Sequence, residues 1–387
     1  VLDLKTKMRD VHPDILTLPQ YFKQQGYTTA GVGKIFDPRC VDGRKTGDAV
    51  SWSVPYDENP SAIGVTAINE GKVVTQAIDA PDEAFVDGRI ARRSLEFMRE
   101  FSGAEKPFFL AVGFKKPHLP FVAPQRYWDR YDPAAISLAA FQEEAAGNSG
   151  FGYWNSNEIR GYGGVPEEGA FEPELQRHLI HGYLACTSWI DDLVGRLTTE
   201  LDALGLRENT IIVLWGDHGW HLGDHGLWGK HTVFESAIRA PLIIVDPRQA
   251  VTVKTEAPVE FTDIFPTLCE LADLPRPAAL QGVSLVPALS DATARPRPVS
   301  IGYHRSKGAV GYSVRSPGYR YVEWIDPKSA QVVGRDLFDF GADPLGKRNW
   351  ADDPEHAPVV AQMSAWLHAD SDGWLLLQRH LAEAGPR

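Results

Sequence analysis

Cysteine is scarce in this chain of 387 residues: only Cys40, Cys186 and Cys269 occur. An odd, widely spaced set fits neither a disulfide framework nor a zinc knuckle, and so leaves the compartment open. Positive charge is also in deficit. Lys and Arg number 39 against 51 Asp and Glu, a formal net charge of −12. With no basic block standing out, this excludes a dedicated nucleic-acid binder, which needs clustered cations against phosphates. Any anionic ligand must be held by a few local cations. No run approaches the roughly 18 apolar residues of a membrane span, and Val1-Leu2-Asp3-Leu4-Lys5 is no signal peptide. Gly 35 and Pro 28 are too few for a disordered or collagen-like chain. The absence of a starting Met leads to the expectation of a processed product or a fragment.

What is present is an α/β pattern. Helix and strand signals alternate in the first half, predicting a large mixed, mostly parallel sheet with helices on both faces. Leu18 to Gln25 reads as a helix stopped by Gly26, and Tyr27 to Val32 as a strand. A hairpin is expected over Ala67 to Ile78, turning at Glu70-Gly71, followed by a helix from Asp82 to Phe101. The apolar run Phe108 to Phe114 predicts a strand buried on both faces, and Thr210 to Trp215 and Pro241 to Val245 predict two more buried strands. Between them, Leu175, Leu179, Tyr183, Cys186, Ile190, Val194, Leu197, Leu201 and Leu204 recur at helical spacing, so Cys186 is expected as a packed thiol in a long helix. The Pro- and Arg-rich stretch at Arg295 to Pro298 suggests a boundary, giving domains 1–298 and 299–387. The second is expected as a small antiparallel sheet (Gly311 to Arg315, Tyr319 to Trp324, Asp336 to Phe340) with a helix at Val359 to Leu367.

Ligands of open α/β sheets gather at the carboxyl ends of the strands, so polar residues just past a strand carry weight. Three places qualify: Lys34, Lys116-Pro117-His118, and Asp217-His218. Beyond Asp217-His218, the stretch through His231 packs His221, Asp224, His225 and Lys230 among glycines, which let a backbone approach a ligand. An Asp beside a His supplies a hard oxygen and a nitrogen, half of a divalent-metal site. The loops Arg39 to Tyr56 and Gly147 to Gly164, the latter with Phe151, Tyr153, Trp154 and Tyr162, are candidates for shaping a sugar pocket.

These residues resemble the sulfatases of the alkaline-phosphatase-like superfamily, and within them the iduronate-2-sulfatase-like branch. The resemblance rests on Gly216-Asp217-His218-Gly219 with Leu222-Gly223-Asp224-His225-Gly226 and Lys230, on Gly33-Lys34, and on Lys116-Pro117-His118-Leu119-Pro120-Phe121. Thr17 to Phe22, Leu337-Phe338-Asp339, Asp343-Pro344 and Asn349 extend it over nearly the whole chain. It implies a sulfuric ester hydrolase acting on a sulfated saccharide, with Lys34, His118 and Lys230 as catalytic sulfate contacts. Lys116, Asp37, His225 and Trp228 would touch substrate, and Asp217 and His218 would be ligands of one calcium ion. Asp37 stands where close relatives often carry His. No nucleic acid or membrane partner is implied, the oligomeric state is open, and a periplasmic or secreted setting would suit the family.

The family's formylglycine is made from Cys in a Cys-x-Pro/Ala-x-Arg motif, and an earlier Asp-Asp pair completes its metal site; neither occurs in this sequence. Cys40-Val41-Asp42-Gly43-Arg44 has the interval, but Asp42 replaces the small apolar residue and the Cys follows Lys34 rather than preceding it. The expectation is therefore a chain that starts downstream of the nucleophile segment and first strand. Two alternatives stand beside it: a catalytically inactive sulfated-glycan-binding homologue, and a two-metal phosphodiesterase of the same superfamily. The last needs an Asp-x-x-x-His set upstream, whereas Asp191 and Asp192 are followed four residues on by Gly195 and Arg196.

Overall fold

The computed structural model describes residues 6–43, 45–153 and 158–369. Arg44 of the Cys40 stretch and Trp154 of the aromatic loop lie outside the described residues. The chain divides into two compact units, Val1–Ser137 with Arg160–Thr210, and Leu138–Ile159 with Ile211–Arg387.

In the first unit, Thr17 caps helix α1 (Leu18–Gln24), its hydroxyl accepting from the Gln20 amide. Strand β1 (Thr28–Gly33) follows, then β2 (Thr75–Ile78), helix α2 (Val86–Ser102), β3 (Phe108–Gly113) and β4 (Phe121–Pro124). β1 pairs in parallel with β3, from Thr28 opposite Phe108 to Gly33 opposite Gly113. β2 pairs in parallel with β4. Under the first pair, Ile90, Phe97 and Phe101 of α2 pack on Ala30 and Val32. Helix α3 (Pro173–Ala203) buries Leu179, Gly182, Cys186, Trp189, Leu193 and Leu201; the helical period holds, but Trp189 and Leu193 take the buried places expected for Ile190 and Val194, which are half-buried. Cys186 is fully buried, with its thiol toward the Val122 carbonyl.

The second unit holds β5 (Ile212–Trp215), the short pair β6 (His221–Leu222) and β7 (Trp228–Gly229), β8 (Leu242–Val245), and helix α4 (Ile264–Leu271). Its last part is an antiparallel sheet of β9 (Ser300–Ser306), β10 (Ala309–Arg315), β11 (Tyr319–Ile325) and β12 (Val332–Asp339), in the order β12-β11-β10-β9. Helix α5 (Ala357–Ala369) puts Met363 and Leu367 against Val310, Tyr312, Val314 and Tyr321 of this sheet. The architecture is thus α/β with a small antiparallel C-terminal sheet and helix, as the sequence predicts.

Three local expectations are corrected. The hairpin over Ala67 to Ile78 does not form: Asn69 and Gly71 make a turn, but the Ile68 amide goes to the Ala84 carbonyl and β2 takes β4 as its partner. Ser300–Ser306 is a strand that its Gly-Tyr-His-Arg centre conceals. The strands expected as fully buried are not: β3 is half-buried along its length, and Trp215, Ile243 and Val245 are 45%, 55% and 39% exposed. β5 and β8 pair antiparallel with each other, and among the described residues nothing else joins them in a sheet. An apolar run reports a preference for cover, not the cover itself.

Candidate functional site

In the first unit, a candidate cleft is built where β1 and β3 end side by side. Gly33 has φ of 80°, and a Cβ there would collide with the Gly113 carbonyl, so only glycine fits this crossing. The Lys34 amide then donates to that carbonyl at 2.7 Å, and the exposed Lys34 side chain leaves from the strand end. On the neighbouring strand end, the fully buried Asp87 carboxylate of α2 accepts from the amides of Lys115 at 2.6 Å and Lys116 at 3.2 Å. Burial pushes the Asp87 carboxyl up, against the lowering pull of the Lys115 amide and the Lys116 charge.

The loop held this way carries Lys116 and His118. The Lys116 side chain is 3% exposed, and its ammonium lies 2.6 Å from both the Glu70 carboxylate and the Pro120 carbonyl. His118 donates through Nδ1 to the Leu119 carbonyl at 2.8 Å, which in the neutral ring leaves the lone pair on Nε2. Asp37 forms a forked ion pair with Arg39 at 2.6 and 2.9 Å, and the guanidinium holds its carboxyl below the usual carboxylate range. Lys34, Asp37, Lys116 and His118 all line one cleft of about 780 Å³.

The candidate residues of the second unit begin where β5 ends at Trp215. The Gly219 amide donates to Ala237 at 2.7 Å, turning the chain back so that Asp217 and His218 sit at the bend. His218 donates through Nδ1 to the Gly219 carbonyl at 2.7 Å, and its Nε2 lies 3.7 Å from Asp217 Oδ1. A ring nitrogen fixed by a backbone carbonyl, with the other turned to a carboxylate, is the arrangement that orients a metal-ligating imidazole. Among the described residues, however, no group of three His, Cys, Asp or Glu is gathered as a metal site. Calcium takes six to eight oxygens. The pair fits one side of a cation and does not make a shell, so no chemical step is derived through a metal.

Lys230 is 3.1 Å from the Glu158 carboxylate, and its ammonium lies 5.5 Å from the Trp220 ring centre. His231, half-buried behind it, is pushed below the usual imidazole range by burial and by the Lys230 and His218 charges. His225 and Trp228 are packed inward. His225 stacks on Phe234 at 4.6 Å with φ of 55°, burial lowering its pKa to about 4, and Trp228 is 7% exposed.

Two features were beyond sequence reasoning. Fully buried His221 bonds Asp224 at 2.6 Å and Thr232 at 2.8 Å, and Asp224 also accepts from Ser236 at 2.6 Å, a network bracing the loop that carries Lys230. The density of His and Asp hinted at it. Glu70, Asp87 and Glu158 carried no signal of their own, because each acts on a lysine or amide distant in sequence.

The family model for sulfatases matches residues 7–274, and that for the C-terminal part of N-sulphoglucosamine sulphohydrolase matches residues 223–372. A sulfatase of Formosa agariphila is 30% identical over 379 residues, spanning 93% of this chain and 71% of the relative. Mouse iduronate 2-sulfatase is 27% identical, spanning 89% of this chain and 78% of the enzyme. A solved complex with the substrate D-glucosamine-2-N,6-O-disulfate superposes with a TM-score of 0.69 at 18% identity, covering 99% of this chain and 85% of the other. A phosphonate monoester hydrolase of Silicibacter pomeroyi gives 0.71 at 23% identity, covering 92% and 79%.

Proposed function

The chain belongs to the sulfatase family, and from that premise we propose that it serves a sulfuric ester hydrolase removing sulfate from a sulfated sugar, iduronate-2-sulfatase-like in substrate class. The observation that carries this reading is the meeting of Lys34 and His118 in one cleft at the ends of β1 and β3. The names of the mouse relative and of the disulfated glucosamine complex support a glycan substrate.

The residues suit the chemistry. As a sulfate ester breaks, negative charge grows on the departing sugar oxygen, and fixed cations are worth most there. Lys34, at the open strand end, would hold a sulfate oxygen. His118, with Nδ1 anchored on Leu119, would turn Nε2 to the departing sugar oxygen and, as the imidazolium, donate from it the proton that such a poor leaving group needs. In the second unit, Lys230, held by Glu158 and Trp220, would be a sulfate contact, and Asp217 with His218 the pair offered to calcium. Calcium would supply fixed positive charge and formylglycine the nucleophile. Lys116 and Asp37 would act on substrate through the cleft they line, although each is engaged by an internal partner, Glu70 and Arg39. His225 and Trp228 would be substrate contacts by the resemblance alone, since both are packed inward in the structure.

None of the three cysteines lies in the formylglycine motif. Cys186 is buried with its pKa pushed up to about 12, and Cys269 is also buried. We therefore place the nucleophile outside these 387 residues. The same observation favours a second reading, a sulfated-glycan-binding homologue without turnover. The two-metal alternative gains nothing from Asp192, whose carboxylate accepts from Tyr127 and Arg196 at 2.8 Å each.

The test is hydrolysis of 4-methylumbelliferyl sulfate with calcium, by this chain and by the chain preceded by a segment bearing the Cys motif and Asp-Asp pair. Turnover by the longer chain, lost in Lys34→Ala and His118→Ala, is expected. Binding of sulfated sugars without turnover in either form would favour the second reading. Absence of both would overturn both readings.

A further inference from the structure

Most cations of the 780 Å³ cleft have acceptors of their own. Lys116 faces Glu70, Arg39 faces Asp37, and Lys115 donates to the Asn59 side chain. Arg89, which lines the same cleft, differs. Its Nε donates to the Pro60 carbonyl at 2.7 Å, and its Nη1 to the carbonyls of Ala84 at 2.8 Å and Glu83 at 3.4 Å. All three partners are neutral backbone groups. Among the described residues Nη2 makes no hydrogen bond and no carboxylate lies within ion-pair distance of the guanidinium. Burial and the neighbouring Arg92 charge lower its pKa, outweighing the raising pull of the more distant Asp87 and Glu70 carboxylates, neither of which bonds it.

The carbonyl contacts also fix the guanidinium plane, so one edge of the fork is pre-aimed and little side-chain entropy remains to be lost on binding. The cleft is of the size that encloses a ligand well beyond a single sulfate group. We propose that Arg89 is a second anion subsite of this cleft, taking a sulfate or carboxylate that the substrate carries in addition to the ester to be cleaved. The inference rests on the reading of the cleft as a sulfated-sugar site, and it adds the residue that would receive the substrate's second anionic group.

The test is calorimetric binding, which needs no nucleophile. The probes are N-acetylglucosamine 6-sulfate, with one anionic group, glucosamine 2-N,6-O-disulfate, with two sulfates, and a monosulfated disaccharide bearing a uronate. For the wild-type chain, one or both dianionic probes should bind about tenfold tighter than the monosulfate, which identifies whether the second group is sulfate or carboxylate. Arg89→Gln should erase that gain while leaving the monosulfate within about twofold. Arg89→Lys keeps the charge without the carbonyl fork and should retain part of the gain. It also covers the case in which Arg89→Gln loosens the start of α2. A gain that survives in Arg89→Gln, or no gain in the wild-type chain while the monosulfate still binds, overturns the subsite alone. Failure of all three probes to bind overturns the sulfated-sugar reading and the subsite with it.

Discussion

The Lys116 ammonium and the Glu70 carboxylate meet at 2.6 Å although 46 residues separate them, and the lysine side chain is only 3% exposed. A lysine that follows a strand end in a candidate site is therefore also a tie between the loop before β2 and the loop after β3. Removing one member of a buried pair leaves the other without compensation, which costs more than the pair itself contributes.

Glu70→Gln keeps the shape and removes the charge. It should lower unfolding free energy by about 3 kcal/mol, read from urea denaturation at neutral pH. A loss under about 1 kcal/mol would mean that water, not Glu70, satisfies the ammonium.

Asp87→Asn addresses the same loop from below. The buried carboxylate accepts two amides, from Lys115 and Lys116, and an amide side chain can accept only through its one oxygen while turning an NH₂ toward the other donor. A loss of about 1–3 kcal/mol is expected, with weaker binding of N-acetylglucosamine 6-sulfate because His118 rides on this loop. Unchanged affinity in a folded variant would separate the loop's anchoring from the ligand site.

These two relationships mark the border of what the sequence revealed. The placement of Gly33-Lys34, Lys116 to His118 and Asp217-His218 just past strands was legible from the apolar run before each. The helical stripe through Cys186 was legible from its period. The partners Glu70, Asp87 and Glu158 were not, because the choice of a partner distant in sequence has no local periodicity. The hairpin expected over Ala67 to Ile78 failed for the same reason: its turn is local and real, but strand pairing is decided by what arrives alongside, here β4. His225 carried the density of the motif, yet its packing on Phe234 depends on Tyr153, 72 residues earlier.

The exposed apolar strands of the second unit make a third prediction. Ile243 and Val245 sit on β8 at 55% and 39% exposure, opposite Leu214 and Ile212 of β5. Exposed positions tolerate polar substitution within about 0.5 kcal/mol. The double variant Ile243→Lys, Val245→Lys should keep the unfolding midpoint and reduce binding of the dye anilinonaphthalene sulfonate, which reports exposed apolar surface. A large fall in stability would show that these side chains are covered in solution.

His225 supplies the pH dependence. The Tyr153 oxygen accepts from the Ala145 amide at 2.6 Å, so its hydroxyl proton is left to donate to His225 Nδ1 at 3.3 Å. Protonating Nδ1 would set donor against donor. Burial lowers the pKa to about 4, overcoming the opposite pull of Asp224 and Asp343 and reinforced by His221. The unfolded chain binds this proton at about pH 6.5. Between those values it holds more protons than the folded chain, so the contribution is full above about pH 6.5 and lost as pH falls toward 4. The loss is about 1–3 kcal/mol. His225→Asn tolerates the φ of 55° and removes the titration. Urea midpoints at pH 7.5, 6 and 5 should fall more steeply for the wild-type chain than for the variant, whose stability is lower at pH 7.5 because the Phe234 stack is gone. Parallel slopes would show that the imidazole takes up its proton in the folded chain as readily as in the unfolded one, and that the Tyr153 hydroxyl does not hold it neutral.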